Sequence, residues 1–224
     1  MTRCVFVTGS GTDVGKTYVA AGLIRALRRA GLAVGAMKPV MSGFDPAHAD
    51  PAHPDGAGSD AAVLLDALGG SGTIEAMSPW RFAAPLSPDR AAALEGRTIA
   101  FDALVECCRR GVTGDIVLVE GVGGVMVPLD DCHTVLDWMA ALDWPVMIVC
   151  GSYLGAISHA LTAVTAVRQR GLRVTSLVVN ESVACVGAEE TARALRRFVG
   201  APVHCLARNA GEVAFDDLAS AFVR

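Results

Sequence analysis

The stretch Gly9-Ser10-Gly11-Thr12-Asp13-Val14-Gly15-Lys16-Thr17 constrains this chain more than any other. It follows the apolar run Cys4-Val5-Phe6-Val7. It precedes residues 18–29, where Val19, Leu23, Ile24 and Leu27 recur at helical spacing. The order is strand, glycine-rich turn, helix. Such a turn directs successive backbone N–H groups inward, and the helix adds the positive end of its dipole, so a phosphate chain fits there. Lys16 is placed to reach the outer phosphates, and the Thr17 hydroxyl to ligate Mg2+.

The spacing departs from the usual phosphate-loop pattern G-x-x-x-x-G-K-[ST]. Counting back from Gly15, the first glycine belongs at position 10, which is serine; the nearest glycines are Gly9 and Gly11. The loop is therefore either one residue longer, from Gly9 to Gly15, or folded differently around Gly11. An ordinary glycine-rich turn is the plainer alternative, and Gly-Lys-Thr at the helix start argues against it. The loop alone does not give the reaction, because one such fold serves many chemistries.

With 224 residues, 52% apolar and 19% charged, the chain reads as one globular domain with a full core rather than a disordered segment. The net charge is −4 and no dense basic run occurs, which argues against nucleic acid or an anionic membrane as the main partner. Neither a leader-like N-terminus nor a membrane-length apolar run is legible, so the expected location is the cytoplasm. The seven cysteines contain no C-x-x-C and read as reduced core residues; Cys107 and Cys108, adjacent on a helix, point about 100° apart.

Along the chain, residues 32–40 read as a second strand and make a βαβ unit, hence a parallel pair. Residues 42–59 lack periodicity and read as a long loop; His48 and His53 beside Asp50 and Asp55 are read there as solvated rather than metal-binding. Ser59-Asp60 caps a helix to Leu68. Residues 78–82 and 85–88 are extended or turn segments, because proline disfavours helix before it. Helices are expected over 89–94, 99–110, 133–142, 156–170, 189–199 and 213–223. Further strands are expected over 116–119, 146–150, 174–179 and 202–206. The fold class is α/β: a single-domain, doubly wound, mostly parallel sheet.

In such sheets ligands sit outside the carboxyl ends of the strands. Glu120 ends an apolar strand, where a carboxylate is costly unless paired or on a metal, and the following Gly121-Val122-Gly123-Gly124 lets backbone approach a ligand. Lys38 is either a lysine snorkelling at the sheet edge or a second cation facing the phosphates. Asp60 reads on spacing as a cap. Asn180, at another strand end, reads either as a turn residue or as a donor–acceptor pair for an adenine edge. No N-K-x-D occurs, which weakens a guanine-specific reading.

Together these residues are recognisable. The segment from Val7 to Thr17 resembles the long phosphate loop of the dethiobiotin synthetase family. So do Lys38-Pro39-Val40 with Ser42-Gly43, Ser59-Asp60, Pro85-Leu86-Ser87-Pro88, Val119-Glu120-Gly121-Val122-Gly123-Gly124 and Leu154-Gly155-Ala156-Ile157-Ser158-His159-Ala160. They occur in family order across almost the whole chain, and the longer loop is itself a family trait.

The resemblance implies ATP-dependent carboxylation and ring closure of 7,8-diaminononanoate with CO2 in a homodimer. It implies Thr17, Asp60 and Glu120 as Mg2+ ligands, and Lys16 and Lys38 as the groups that stabilise carbamate and transferring phosphoryl. Thr12 and Ser42 would contact the diamine or its carbamate, and Asp13, Val14, Gly15, Lys16 and Thr17 would bind phosphates. Gly123 would lie near the γ-phosphate with Gly121 and Val122 also binding ATP, Asn180 at adenine, and Gly155 to Ser158 at the substrate carboxylate. This sequence has Asp13 where the family commonly has Glu, Asp89 for a frequent His, Ser158 for a common Asn, and no proline within 205–208. The rival reading is a partner-controlled positioning ATPase of a related branch; that branch carries a second lysine early in the loop, where this chain has Ser10-Gly11-Thr12. A third reading is another ATP-dependent ligase or amidotransferase synthetase domain of the same fold; a chain of this length leaves no room for a glutaminase domain.

Overall fold

The computed structural model describes residues 2–45, 59–70, 72–183 and 186–223. The readings made above for His48, Asp50, His53, Asp55 and Cys185 lie outside them.

The first strand, β1 (Arg3–Gly9), leads through the glycine-rich loop into α1 (Lys16–Arg29), then β2 (Val34–Met37) and β3 (Val40–Ser42). There follow α2 (Asp60–Ala67), α3 (Ile74–Met77), β4 (Trp80–Phe82), α4 (Pro88–Leu94) and α5 (Phe101–Arg110). The rest alternates: β5 (Ile116–Gly124), α6 (Val135–Leu142), β6 (Val146–Cys150), α7 (Ala156–Gln169), β7 (Val174–Asn180), α8 (Ala188–Arg196), β8 (Val203–Leu206) and α9 (Glu212–Val223).

Six strands form one sheet in the order β2-β5-β1-β6-β7-β8, and every ladder in it is parallel. Each connection must cross a face of the sheet, so helices cover both faces. Alternation along β1 shows the division. Val5 and Val7 face α1, α2 and α9, while Phe6 faces the side packed by α4 to α8. Phe6 and Trp138 of α6 are both fully buried and meet edge to face, 4.9 Å between ring centres. The chain leaves β1 toward β2 on one side and later crosses to β6 on the other, so the carboxyl end of β1 lies where the winding reverses.

The α/β class and the parallel sheet agree with the sequence reading. One strand does not. Residues 32–40 are not a single strand: β2 stops at Met37, and β3 pairs in parallel with β4 in a separate two-stranded sheet. Pro39 is the cause, since it has no N–H to carry the ladder onward. The short helix α3 was not foreseen; at four residues it carries little periodic signal.

The arginines on the outer side of α1 also have partners. Arg25 pairs with Asp66 (2.6 Å), Arg28 donates to the Ala67 carbonyl (2.9 Å), and Arg29 pairs with Asp216 (2.6 Å) and Glu212 (3.4 Å). Exposed pairs of this kind contribute about 0–1 kcal/mol each, but they tie α2 and α9 to α1.

The α1–α9 packing tolerates nothing larger than glycine at one point. A Cβ on Gly22 would lie 2.1 Å from the Phe215 ring, itself buried. Gly22→Ala gains up to about 1 kcal/mol in helix propensity, against about 1–3 kcal/mol for overpacking. The expected outcome is a net loss of stability, read as a lower urea midpoint with α9 undocking first by hydrogen exchange.

Candidate active site

The glycine-rich loop settles its own spacing. A Cβ on Gly9 would lie 2.8 Å from the Gly11 carbonyl oxygen, and Gly15 is left-handed (φ 86°), whereas the Gly11 position is open except for the Tyr153 hydroxyl at 4.0 Å. The constrained glycines are therefore Gly9 and Gly15, and the loop is the longer of the two forms. Asp13 is also left-handed (φ 56°).

The helix that follows begins bare. Gly15 offers α1 no capping side chain, and no acidic residue stands in its first turn. Among the described helices α7 alone shares both features, behind Gly155. The others carry a side-chain cap, a first-turn acid or both. Unused N–H groups at a helix start attract anions, so α1 and α7 both present anion-binding ends at the same edge of the sheet.

A cavity of about 380 Å3 opens in front of α1. It is lined by Thr12, Asp13, Gly15, Lys16, Thr17, Lys38, Met41, Ser42, Asp60, Glu120, Val122 and Gly123, and its size suits a small-molecule ligand. The geometry is set by Glu120, 1% exposed, one residue past the last β2 partner Val119 and opposite Val7 of β1; the strand expected to end at 119 runs on to Gly124, so Glu120 lies within β5 rather than at its end. Its Oε1 accepts from Thr17 Oγ1 (2.8 Å) and from Lys38 Nζ (2.5 Å). Lys38 Nζ also donates to the Gly121 carbonyl (3.0 Å) and pairs with Asp60 Oδ2 (3.0 Å). Lys16 Nζ donates to the Gly11 carbonyl (3.3 Å).

These contacts decide two alternatives. Lys38 does not snorkel: it is 2% exposed and its ammonium meets Glu120 and the Gly121 carbonyl of β5. Asp60 is not the cap: Ser59 caps α2 by accepting from the Ala62 N–H (3.3 Å), which leaves the Asp60 carboxylate free to reach Lys38.

Burial is the largest single influence on each of these charges, but it decides the direction only for Lys16. It pushes the Lys16 ammonium down to about 8, helped by the neighbouring Lys38 cation. Burial also works to lower Lys38, but the adjacent Glu120 and Asp60 carboxylates outweigh it and hold Lys38 above the usual lysine value. For Asp60, burial favours the acid form, yet the Lys38 charge prevails and keeps the carboxyl below its ordinary value.

The donor set fits a hard divalent cation. Glu120 Oε2 is buried and has no hydrogen-bond partner, Thr17 contributes a hydroxyl, and Asp60 a half-exposed carboxylate. All are oxygen donors, which suit a nucleotide-bound Mg2+ that keeps its other sites for phosphate and water. Among the described residues no cluster of three or more His, Cys, Asp or Glu offers an all-protein metal cage.

Some expected residues lie outside the cavity lining. Val14 is buried beneath the loop, and its carbonyl accepts from Asn180 Nδ2 (3.1 Å). Asn180 thus stacks against Gly15, where a Cβ would lie 2.1 Å from Nδ2. Gly121 enters through its carbonyl. Gly155 and Ser158 stand at the exposed start of α7, next to Leu154 (90% exposed). The sequence reading missed Met41 in the lining, and it missed the reciprocal clasp of Ser152 and Ser182, each N–H donating to the other's hydroxyl (3.0 Å) across the ends of β6 and β7.

Comparison with known proteins bears on the site as a whole. The model of an AAA domain family matches residues 3–208. The chain is 48% identical over 203 residues to the ATP-dependent dethiobiotin synthetase BioD of Acidiphilium cryptum, covering 88% of each chain. It is 47% identical over 215 residues to that of Methylobacterium nodulans, covering 92% of this chain and 94% of the relative. The chain belongs to the ATP-dependent dethiobiotin synthetase family. Among solved structures it is similar to a ParA family ATPase from Chlorobium tepidum (TM-score 0.59, 13% identity, 98% and 99% covered). It is also similar to the septum site-determining protein MinD of Pyrococcus horikoshii (0.55, 15%, 97% and 86%). At such identities the likeness shows the nucleotide-binding fold alone.

Glu120→Gln keeps the shape of the side chain but removes the charge facing buried Lys38. Breaking one side of a buried pair costs about 3–5 kcal/mol, and a loss of that order is expected in urea unfolding without ligands. The double variant Glu120→Gln with Lys38→Met is expected to lose less than the sum of the two single losses.

Proposed function

We propose that the chain acts as one phosphate-loop synthetase domain. It joins CO2 to 7,8-diaminononanoate at the expense of ATP and closes the ring to dethiobiotin, a step of biotin biosynthesis. The observation that carries this reading is the cluster of two buried lysines, two carboxylates and one threonine hydroxyl facing the bare start of α1. Among the described residues no cysteine or histidine lines the cavity, and its one serine, Ser42, is not needed as a nucleophile, because the substrate brings its own.

One amine of the diamine takes up CO2 as a carbamate with loss of a proton. A carbamate oxygen attacks the γ-phosphorus of ATP and ADP leaves. The second amine attacks the carbonyl carbon of the resulting carbamic-phosphoric anhydride, releasing phosphate and closing the cyclic urea. The site's task is alignment and charge neutralisation. Backbone N–H groups of residues 13–17 hold the phosphates. Lys16 and Lys38 stabilise the carbamate and the transferring phosphoryl group. Thr12 and Ser42 contact the diamine or carbamate, and Gly121 to Gly123 give room beside the γ-phosphate. Thr17, Asp60 and Glu120 are the residues to hold Mg2+, which supplies Lewis-acid charge neutralisation on the phosphates.

Asn180 serves the adenine: Nδ2 is committed to Val14, so Oδ1 remains to accept from the exocyclic amine. The bare start of α7, from Gly155 to Ser158, receives the substrate carboxylate. Exposed Leu154 and half-exposed Ile157 beside it support a homodimer that covers this end. The cytoplasm is the expected location, with neither nucleic acid nor membrane as partner; among the described residues no helix is long and apolar enough to cross a membrane.

ADP release by purified protein with MgATP and bicarbonate is expected to require 7,8-diaminononanoate. Hydrolysis indifferent to the diamine, or stimulated by DNA or lipid, favours a positioning ATPase instead. Lys16→Ala and Lys38→Ala are each expected to lower turnover about a thousandfold while the far-ultraviolet circular dichroism stays native. Near-wild-type turnover of Lys38→Ala removes its assigned role. Light scattering is expected to give twice the chain mass.

A further inference from the structure

Lys38 lies in the break between the end of β2 at Met37 and the start of β3 at Val40, so it belongs to neither sheet ladder. Residues 77–80 hold its main chain instead. The Lys38 N–H donates to the Met77 carbonyl (3.1 Å), the Trp80 N–H donates to the Pro39 carbonyl (3.0 Å), and Ser78 Oγ donates to the Lys38 carbonyl. Ser78 is fully buried. A buried carbonyl left without a donor costs about 1–3 kcal/mol, and the backbone shifts when it can to avoid that.

Ser78 is itself anchored from elsewhere. Its N–H donates to the Ile74 carbonyl at the base of α3 (2.8 Å), and its carbonyl accepts from Arg81 Nη1 (2.5 Å). Arg81 lies over the Phe44 ring, 5.4 Å from its centre. The hydroxyl therefore transmits the position of α3 to the Lys38 backbone. The lysine stem has four soft torsions, so its ammonium stays at Glu120, Gly121 and Asp60 only while the Cα is held.

We infer that Ser78 is a positioning residue for the reaction: its hydroxyl, bonded to the Lys38 carbonyl, sets where the Lys38 ammonium stands. This rests on the reading that Lys38 acts on the transferring group. Ser78 does not line the cavity, so it touches neither nucleotide nor diamine. Its removal should leave binding intact and misplace a charge, and a misplacement of about 1 Å can lower a rate about a hundredfold.

The test measures diamine-dependent ADP release for Ser78→Ala and Ser78→Cys, and for Ser78→Ala in a Lys38→Ala background assayed at high enzyme concentration. Expected are a kcat lowered about 10- to 100-fold in Ser78→Ala, KM for ATP and diamine within about twofold, and a smaller loss in Ser78→Cys, which keeps a weak donor. In the Lys38→Ala background the serine change is expected to alter kcat less than about twofold, since no ammonium remains to be misplaced. An unchanged kcat in Ser78→Ala, or the same fold loss in both backgrounds, overturns the inference and leaves Ser78 a structural residue. Wild-type turnover in Lys38→Ala overturns the reading of Lys38 and this inference with it. If Ser78→Ala does not fold, Ser78→Cys carries the comparison in both backgrounds, with the same outcomes deciding.

Discussion

A lysine ammonium surrounded by protein is stable only if oxygen atoms replace the water it has lost. Lys38 has three: a carboxylate oxygen from Glu120, another from Asp60 and the Gly121 carbonyl. They come from β5 and from the first residue of α2, while Lys38 itself stands past the end of β2. Much of the architecture serves that meeting. The parallel pairing of β2 with β5 sets Met37 against Val119, so the chain next to each arrives at the same height. Two contacts from α1, Arg25 to Asp66 and Arg28 to the Ala67 carbonyl, hold α2 where its start reaches Lys38.

The same parallel winding explains why the two uncapped helices serve one edge. Every strand of the six-stranded sheet runs the same way, so every helix that follows a strand directly begins at the carboxyl edge. Most of these starts are neutralised internally, by Thr134 and Asp137 at α6 or by two glutamates at α8. At α1 and α7 the sequence supplies glycine in the left-handed region and nothing that competes for the N–H groups. Charge arriving with a ligand finds donors not already committed. Lys16, pushed down to about 8 by burial, adds a cation with little hydration to lose on meeting a phosphate.

Much of this was legible in the residues. The strand–loop–helix order, the six principal strands and the parallel sheet follow from runs of β-branched residues and from apolar spacing; Glu120 ends the apolar run, but β5 itself continues to Gly124. Local readings failed where a neighbour in space, not in sequence, decided the outcome. Residues 32–40 look like one strand because all but Lys38, Pro39 and the glycine are apolar; Pro39 ends the ladder and a distant segment takes over the pairing. Asp60 looks like a cap because acids cap helices. Ser59 takes that role, and a lysine 22 positions earlier claims the carboxylate.

By itself the sequence determined the phosphate loop, the fold class and, through motifs in family order, membership of a synthetase family. Each depends on residues close along the chain, where backbone preference and periodicity act directly. Only the tertiary structure decided whether Lys38 is a snorkelling edge residue or a buried cation, what close approach makes Gly9 obligatory in the loop, and that Asn180 spends one amide hydrogen on the Val14 carbonyl. The reason is the same in each case. Burial and pairing of a polar group depend on atoms brought within about 3 Å by strands and helices far apart in sequence, and no local pattern encodes that distance.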